Sequence, residues 1–236
     1  MANTFFKFKQ FTIQQELCAM KVCTDSCLFG AMVAHYIENK KVNSILDIGT
    51  GTGLLTLMLA QKTLANIDAV EINQAACLQA KQNFESSPWK NRIHLFETSV
   101  QDFKPNKKYD FIISNPPFFE NHLKSELQNK NIALHSDQLT LKELVFSVEK
   151  LLTNDGVFAV ILPFERTEYF INQMPSLFLI KKINTFQTHT HKTFRSILIF
   201  SRTESVLLER NIYIKDSTNN YTTEFIKFLQ DYYLYL

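Results

Sequence analysis

The sequence predicts an α/β fold built on a doubly wound sheet of seven strands, mostly parallel, with an antiparallel C-terminal strand pair. Three observations support this prediction. From about residue 43, short apolar runs rich in β-branched residues alternate with longer helical patterns. A glycine-rich turn separates the first apolar run from the first of these helical patterns. Two extended runs near the C-terminus are joined by one short polar segment, as antiparallel neighbours are.

The predicted elements follow in a regular order along the chain. Strands are expected at 44–48, 67–72, 92–97, 109–114, 157–162, 179–188 and 194–202. Helices are expected at 54–62, 74–84, 139–152 and 166–174, the third ending at the turn Asn154-Asp155-Gly156. In such sheets ligands bind beyond the carboxyl ends of the strands, where the strand order reverses. Functional residues are therefore expected at these strand ends.

Composition limits the class of protein. The 236 residues suffice for one domain spanning 1–236, and a net charge of +2 requires any basic surface to be local. No apolar run reaches the roughly 18 residues of a membrane span, and the N-terminus lacks a signal-peptide pattern, so we expect a cytoplasmic protein without a membrane partner. The spacing of the four cysteines does not predict a metal site; we expect buried free thiols at Cys18, Cys23, Cys27 and Cys77.

The glycine-rich turn spans residues 47–53 and reads D-I-G-T-G-T-G. Glycine allows a tight turn and lets a ligand approach closer than a Cβ would permit. A dinucleotide-binding turn has the pattern G-x-G-x-x-G, which requires glycine where this chain has Leu54. The turn therefore favours a ligand without a pyrophosphate, with Asp47, Gly49, Gly51 and Gly53 as candidate binding residues.

Two acidic residues follow the next strands. Glu71 lies 18 residues after Gly53, where a carboxylate can accept hydrogen bonds from both hydroxyls of a ribose. Asp102 follows the third strand and is placed to bind an adenine amino group, with Phe103 beside the ring. On their own, Glu71 could be an exposed carboxylate at a strand end and Asp102 a loop residue or helix cap.

The most specific motif is Asn115-Pro116-Pro117-Phe118, directly after the fourth strand. The two prolines fix φ and remove two amide donors, so the turn is rigid. Asn115 Oδ1 and the Pro116 carbonyl can accept the two hydrogens of a planar amino group and stabilise the charge that develops on its nitrogen. Phe118 can stack on a base taken out of its helix. The alternative is a plain surface turn, since Asn-Pro is common turn chemistry.

These motifs together resemble class I S-adenosylmethionine-dependent N-methyltransferases, which have a Rossmann-like fold. The segments F-K-F-K-Q-F at 6–11 and C-A-M-K-V-C-T-D-S-C-L-F-G-A at 18–31 resemble, more narrowly, the bacterial tRNA1(Val) (adenine-37-N6)-methyltransferases. The resemblance implies an S-adenosylmethionine cofactor, a tRNA substrate methylated 3′ of the anticodon, and residues 1–42 as an extension covering cofactor and substrate. It also implies that the cofactor contacts Lys21, Thr24, Asp25, Ile72 and Asn115. The chain departs from the family at Cys23 and Ser26, where glycine is usual.

Basic residues near the predicted site form a candidate surface for the RNA backbone. They interleave with phenylalanines at the N-terminus or flank the last strand pair: Lys7, Lys9, Lys181, Lys182, Lys192 and Arg195. The alternative is that these are ordinary solvated side chains.

Other functions share parts of this pattern. A glutamine N5-methyltransferase of peptide release factors presents similar acceptor geometry, but those enzymes carry a helical substrate domain before the turn, where this chain has only about 43 residues. An rRNA guanine-N2 methyltransferase and a DNA adenine methyltransferase also carry related motifs. From a different class, a non-catalytic RNA-binding module on the same scaffold would retain the fold without turnover.

Overall fold

The computed structural model describes residues 3–18, 20–117 and 139–236. Phe118, the last residue of the predicted Asn-Pro-Pro-Phe motif, lies outside these residues. The strands are β1 Phe5–Lys7, β2 Thr12–Gln14, β3 Ser44–Ile48, β4 Asn66–Glu71, β5 Ile93–Glu97, β6 Tyr109–Ser114, β7 Leu152–Pro163, β8 Phe178–Phe186, β9 Arg195–Ser201 and β10 Leu208–Tyr213. The α-helices are α1 Thr24–Ile37, α2 Leu54–Lys62, α3 Gln74–Glu85, α4 Leu141–Leu151, α5 Thr167–Asn172 and α6 Thr223–Leu229.

The main sheet has the order β10-β8-β9-β7-β6-β3-β4-β5. Its strands are parallel except β9, which runs antiparallel to both β7 and β8. The order reverses between β3 and β6, because β4 and β5 extend the sheet on one side and β6 and β7 on the other. This confirms the predicted doubly wound fold with its antiparallel pair, and it places the expected ligand cleft between β3 and β6.

Helices cover both faces of the sheet. The larger apolar core packs α1, α2, α3 and α6 against one face, and the smaller core packs α4 and α5 against the other. Local signals fix where the helices begin: the Asn73 side chain caps α3, and Thr140 with Glu143 forms a capping box at α4. These caps hold the helices that follow β4 and β6, two of the strands that end at the cleft.

Within the described residues the main sheet has eight strands, so the predicted count of seven was too low by one. The additional strand, β10, pairs in parallel with β8 at the edge, and most of its residues are exposed. An exposed edge strand carries no apolar repeat, and the sequence L-E-R-N-I-Y accordingly gives no strand signal. The strands β1 and β2 pair antiparallel in a separate small sheet. Each has only three residues, too few to show the alternation of apolar and polar residues that marks a strand.

The turn expected at Asn154-Asp155-Gly156 lies inside β7 instead. The helix before it ends at Leu151, and β7 begins directly at Leu152. The expected turn residues form an irregularity in the strand, because β7 passes from Leu152 to Val157 where β6 passes only from Tyr109 to Phe111. The strand expected at 157–162 therefore begins five residues earlier, at Leu152, and the remaining predicted elements agree with the structure to within about two residues at each end.

Candidate active site

The glycine turn connects β3 to α2 at the carboxyl edge of the sheet. Gly49, Gly51 and Gly53 have φ of +72°, +57° and +83°, the left-handed region that side chains other than glycine rarely adopt. The amides of Gly49 and Thr50 donate to the Val70 carbonyl at 2.9 and 3.1 Å, which ties the turn to β4. A Cβ added at Gly49 or Gly51 would meet no atom within 4 Å, whereas one at Gly53 would collide with Phe84. The first two glycines therefore face open space suited to a ligand, and the third is needed for packing.

Asp47 is fully buried at the end of β3. Its Oδ2 accepts hydrogen bonds from the hydroxyls of Thr50 and Thr56, each at 2.7 Å. Its Oδ1 is buried and has no partner among the described residues. Burial raises the pKa of this carboxyl to about 6, against the opposing effect of the two hydroxyls. A buried acceptor without a donor, next to an open turn, is a feature that a bound ligand would satisfy.

Glu71 ends β4 and is almost entirely buried. Its Oε2 accepts the Gly51 amide at 2.9 Å, and its Oε1 accepts the Asn73 amide at 2.8 Å. Each carboxylate oxygen has the capacity to accept one further hydrogen bond. Ile72, the next residue, is half exposed. The contact with Gly51 brings Glu71 against the glycine turn.

Asp102 and Phe103 follow β5 at the same edge. Asp102 is exposed, and its carboxylate accepts the Ser99 hydroxyl at 2.7 Å. Phe103 is buried against Phe96, with ring centroids 4.9 Å apart. The Asp102 carboxylate is therefore accessible to a ligand, whereas the Phe103 ring packs beneath the surface against Phe96.

Asn115 follows β6 directly, across the reversal point from the glycine turn. Its Nδ2 donates to the Ser26 hydroxyl at 3.0 Å. Its Oδ1 is buried and lacks a hydrogen-bond partner among the described residues. Pro116 is buried and Pro117 exposed. A Ser114 hydroxyl donating to the Ile48 carbonyl at 2.9 Å joins the ends of β6 and β3, so the motif and the turn share one cleft.

The first turn of α1 also reaches this cleft. Thr24 begins the helix, and Asp25 accepts the Ser26 amide at 3.0 Å and the Arg195 Nε at 3.1 Å. Lys21 is exposed, and its ammonium donates to the Asn3 carbonyl at 3.4 Å. The contact between Ser26 and Asn115 was not predicted from the sequence; the only signal was that serine stands where the resemblance suggests glycine.

The basic residues grouped by the sequence do not form one surface. Lys181 and Lys182 are adjacent in β8 and point to opposite faces of the sheet. Lys181 lies over the Tyr36 ring, at 4.9 Å from its centroid. Lys182 is paired with Glu168 at 3.2 Å and Glu209 at 3.5 Å, which leaves it poorly suited to a phosphate.

The remaining basic candidates differ in whether their charged groups already bind other groups of the protein. Lys7 and Lys192 are exposed, and Lys192 lies in the turn between β8 and β9 at the carboxyl edge. Lys9 donates to the Gln230 carbonyl at 2.6 Å. Arg195 pairs with Asp25, so its guanidinium holds α1 in place.

Among the described residues, no group of three His, Cys, Asp or Glu side chains is arranged to hold a metal ion. None of the helices in the described ranges is long and apolar enough to cross a membrane.

The fold and the cleft define a class I S-adenosylmethionine-dependent methyltransferase. Residues 30–163 match the family described as Methyltransferase small domain. The chain is 41% identical over 239 residues to the tRNA1(Val) (adenine(37)-N6)-methyltransferase of Dyadobacter fermentans, with 98% of each chain covered. This chain belongs to the tRNA1(Val) (adenine(37)-N6)-methyltransferase family.

Solved structures share the fold. A predicted O-methyltransferase from Agrobacterium tumefaciens matches with a TM-score of 0.65 at 14% identity, over 87% of this chain and 95% of that one. The N-methyltransferase NodS from Bradyrhizobium japonicum, in complex with S-adenosyl-L-homocysteine, matches with a TM-score of 0.55 at 15% identity, over 77% and 86% of the two chains.

Proposed function

We propose that this chain transfers a methyl group from S-adenosylmethionine to the N6 amino group of an adenine in tRNA, at position 37 of tRNA1(Val). The observation that carries the proposal is the buried Oδ1 of Asn115, an acceptor with no partner among the described residues, in the cleft beside the glycine turn. The name of the Dyadobacter relative supports the choice of substrate. A tRNA substrate agrees with the cytoplasmic location expected from the sequence.

The residues at the cleft fit the cofactor. S-adenosylmethionine would supply a methyl group bound to a positively charged sulfur, so that the nitrogen lone pair could attack the methyl carbon while the sulfur leaves as a neutral thioether. Gly49 and Gly51 would leave room for it, and Glu71 would bind its ribose. Asp102 would bind the adenine amino group, beside Ile72 and Phe103. The orphaned Oδ1 of Asp47 is a further acceptor at the turn.

Asn115 and Pro116 act on the accepting nitrogen. The lone pair of an amino group conjugated to a ring is delocalised, so the group is a weak nucleophile. Acceptors at Asn115 Oδ1 and at the Pro116 carbonyl would hold its two hydrogens, orient the lone pair and stabilise the positive charge that develops on nitrogen. Positioning of this kind can lower the barrier by on the order of 7–11 kcal/mol. The nitrogen becomes acidic only once methylated, so no general base is required.

Residues 1–42 are proposed to work as a cover of the cleft within one catalytic domain spanning 1–236. Two contacts support this: Ser26 meets Asn115, and Asp25 meets Arg195. Phe118 is proposed to stack on the target base, and Lys7 and Lys192, both exposed, to contact tRNA phosphates.

A substrate screen tests the proposed function. Purified protein with S-adenosylmethionine carrying a labelled methyl group is incubated in parallel with unmodified tRNA, ribosomal RNA and peptide release factor. Label should enter tRNA, at one methyl per tRNA1(Val) transcript, and a transcript with guanine at position 37 should accept none. Label in release factor or ribosomal RNA alone, or cofactor binding without transfer to any of them, would contradict the proposal.

A further inference from the structure

The side-chain amide of Asn115 carries an oxygen, Oδ1, and an NH₂ group, Nδ2, which are similar in size but differ in hydrogen bonding. Only Oδ1 can accept a hydrogen from an amino group, because the NH₂ end is a donor. An amide turned by 180° would point two donors at the substrate amino group and would oppose the reaction. Something in the protein must therefore hold the rotation of this side chain.

Ser26 occupies the other end of that amide. Its hydroxyl oxygen accepts Asn115 Nδ2 at 3.0 Å and lies 3.0 Å from Cys23 Sγ. The serine is almost fully buried. Either atom of the Ser26–Cys23 pair can donate; when the thiol sulfur accepts the hydroxyl hydrogen, the oxygen lone pairs face Nδ2. Oδ1 is thereby left on the opposite side of the amide, where it has no hydrogen-bond partner among the described residues.

The serine is itself held in place. Its amide donates to Asp25 Oδ1 at 3.0 Å, and Asp25 Oδ2 accepts Arg195 Nε at 3.1 Å. Arg195 begins β9, and Asp25 lies in the first turn of α1. The helix that carries Ser26 is thus tied to the central sheet by an ion pair with both members partly buried.

From these contacts we infer that Ser26 is a positioning residue for methyl transfer, which fixes the rotation of the Asn115 amide so that Oδ1 faces the accepting nitrogen. The inference rests on the proposed function and adds a residue to its machinery. Ser26 acts through Asn115 and does not touch the substrate.

Kinetics of Ser26→Ala provide the first arm of the test. Loss of one hydrogen bond should lower kcat roughly three- to tenfold. The KM for tRNA and the affinity for S-adenosylmethionine should stay within about twofold of wild type, because neither depends on the rotation of the amide. Ser26→Thr, which keeps the hydroxyl, should restore kcat. The matched control is Ser87→Ala, which removes a buried serine hydroxyl that donates to the Phe84 carbonyl at the end of α3, and it should leave kcat unchanged.

Hydrogen exchange of the Asn115 side-chain NH₂, followed by NMR without substrate, provides the second arm. Exchange should be slow in the wild type and in Ser87→Ala, and roughly tenfold faster in Ser26→Ala. Equal exchange in all three proteins, or wild-type kcat in Ser26→Ala, would overturn the inference. A wild-type protein that methylates no tRNA adenine would refute the proposed function instead, and the exchange rates would still decide whether Ser26 holds the amide.

Discussion

Asp47 shows how a single buried carboxylate can link the cleft to the stability of the fold. It is fully buried, and its Oδ1 has no partner among the described residues. Burial raises the pKa of this carboxyl from its ordinary value to about 6, so the folded protein binds the proton more tightly than the unfolded chain does. Its contribution to stability is complete below the unfolded value of about 3.9 and is lost as pH rises through about 6.

The isosteric change Asp47→Asn should remove this dependence. The free energy of unfolding of the wild type, relative to the variant, should fall by on the order of 1 kcal/mol between pH 5 and pH 7. Urea unfolding of both proteins at several pH values measures this difference in the free energy of unfolding. The contributions of the other titrating groups are the same in both proteins and cancel. Parallel stability curves over this range would show that the folded-state pKa of Asp47 is ordinary.

At the scale of elements, the glycine turn separates a binding role from a packing role. Alanine at Gly51 or Gly53 incurs a similar cost of about 1–2 kcal/mol, because both have positive φ. Only at Gly53 does the added Cβ collide with Phe84. Gly53→Ala should therefore lower Tm more than Gly51→Ala, whereas Gly51→Ala should weaken S-adenosylmethionine binding on the order of tenfold. Thermal unfolding and calorimetry give the two quantities; wild-type cofactor affinity in Gly51→Ala would place the ligand elsewhere.

We propose that the turn between β8 and β9 contacts the tRNA backbone. Lys192 is exposed there, while Lys182, on β8, is already paired with Glu168 and Glu209. Lys192→Ala should weaken tRNA binding and reduce the salt dependence of the affinity by about one unit of log–log slope. Lys182→Ala is the matched control and should leave the slope unchanged. Equal slopes for Lys192→Ala and wild type would assign Lys192 to the solvated surface.

The elements that could be predicted are those with a local cause. The tight turn at Gly49, Gly51 and Gly53 follows from three closely spaced glycines, and buried strands such as β6 follow from continuous apolar runs. The edge strand β10 had no such signal, because its side chains are mostly exposed. The contact of Ser26 with Asn115 joins residues 89 apart, and no local pattern encodes it. Lys181 and Lys182 point to opposite faces of the sheet because side chains alternate along a strand, which could be foreseen only once both residues were known to lie within β8.

At the scale of the whole molecule, the two ends of the chain pack together against α2. The Lys9 amide donates to the Tyr232 carbonyl at 2.8 Å, and Phe8 forms a β-bridge with Tyr233. Tyr232 is 1% exposed, and its hydroxyl donates to the Met58 carbonyl at 3.0 Å. The N-terminal segment is thereby fixed to the larger core that supports the cleft.

Substitutions at Tyr232 should reveal how much this packing stabilises the fold. Tyr232→Phe loses one buried hydrogen bond and should cost about 1 kcal/mol, whereas Tyr232→Ala should cost about 3–5 kcal/mol through loss of the buried ring. Tyr235, which is 87% exposed, provides the control, and Tyr235→Phe should leave stability unchanged. Chemical denaturation measures all three. A cost below 1 kcal/mol for Tyr232→Ala would show that the chain ends contribute little to the core.

We propose that the Oδ1 of Asn115, which lacks a partner among the described residues, selects an exocyclic amino group, and the identity of the methylated nucleoside reports that selection. An unmodified tRNA1(Val) transcript is methylated, digested to nucleosides and measured by mass spectrometry against authentic standards. The base at position 37 lies in a loop, where removal from its stack costs only a few kcal/mol. The expected product is N6-methyladenosine alone, at position 37, and Asn115→Ala should abolish it while cofactor binding persists. Methyl groups on a ring nitrogen of adenine or on guanosine, or undiminished N6-methyladenosine from Asn115→Ala, would contradict the assignment of Asn115 as the residue that holds the accepting amino group.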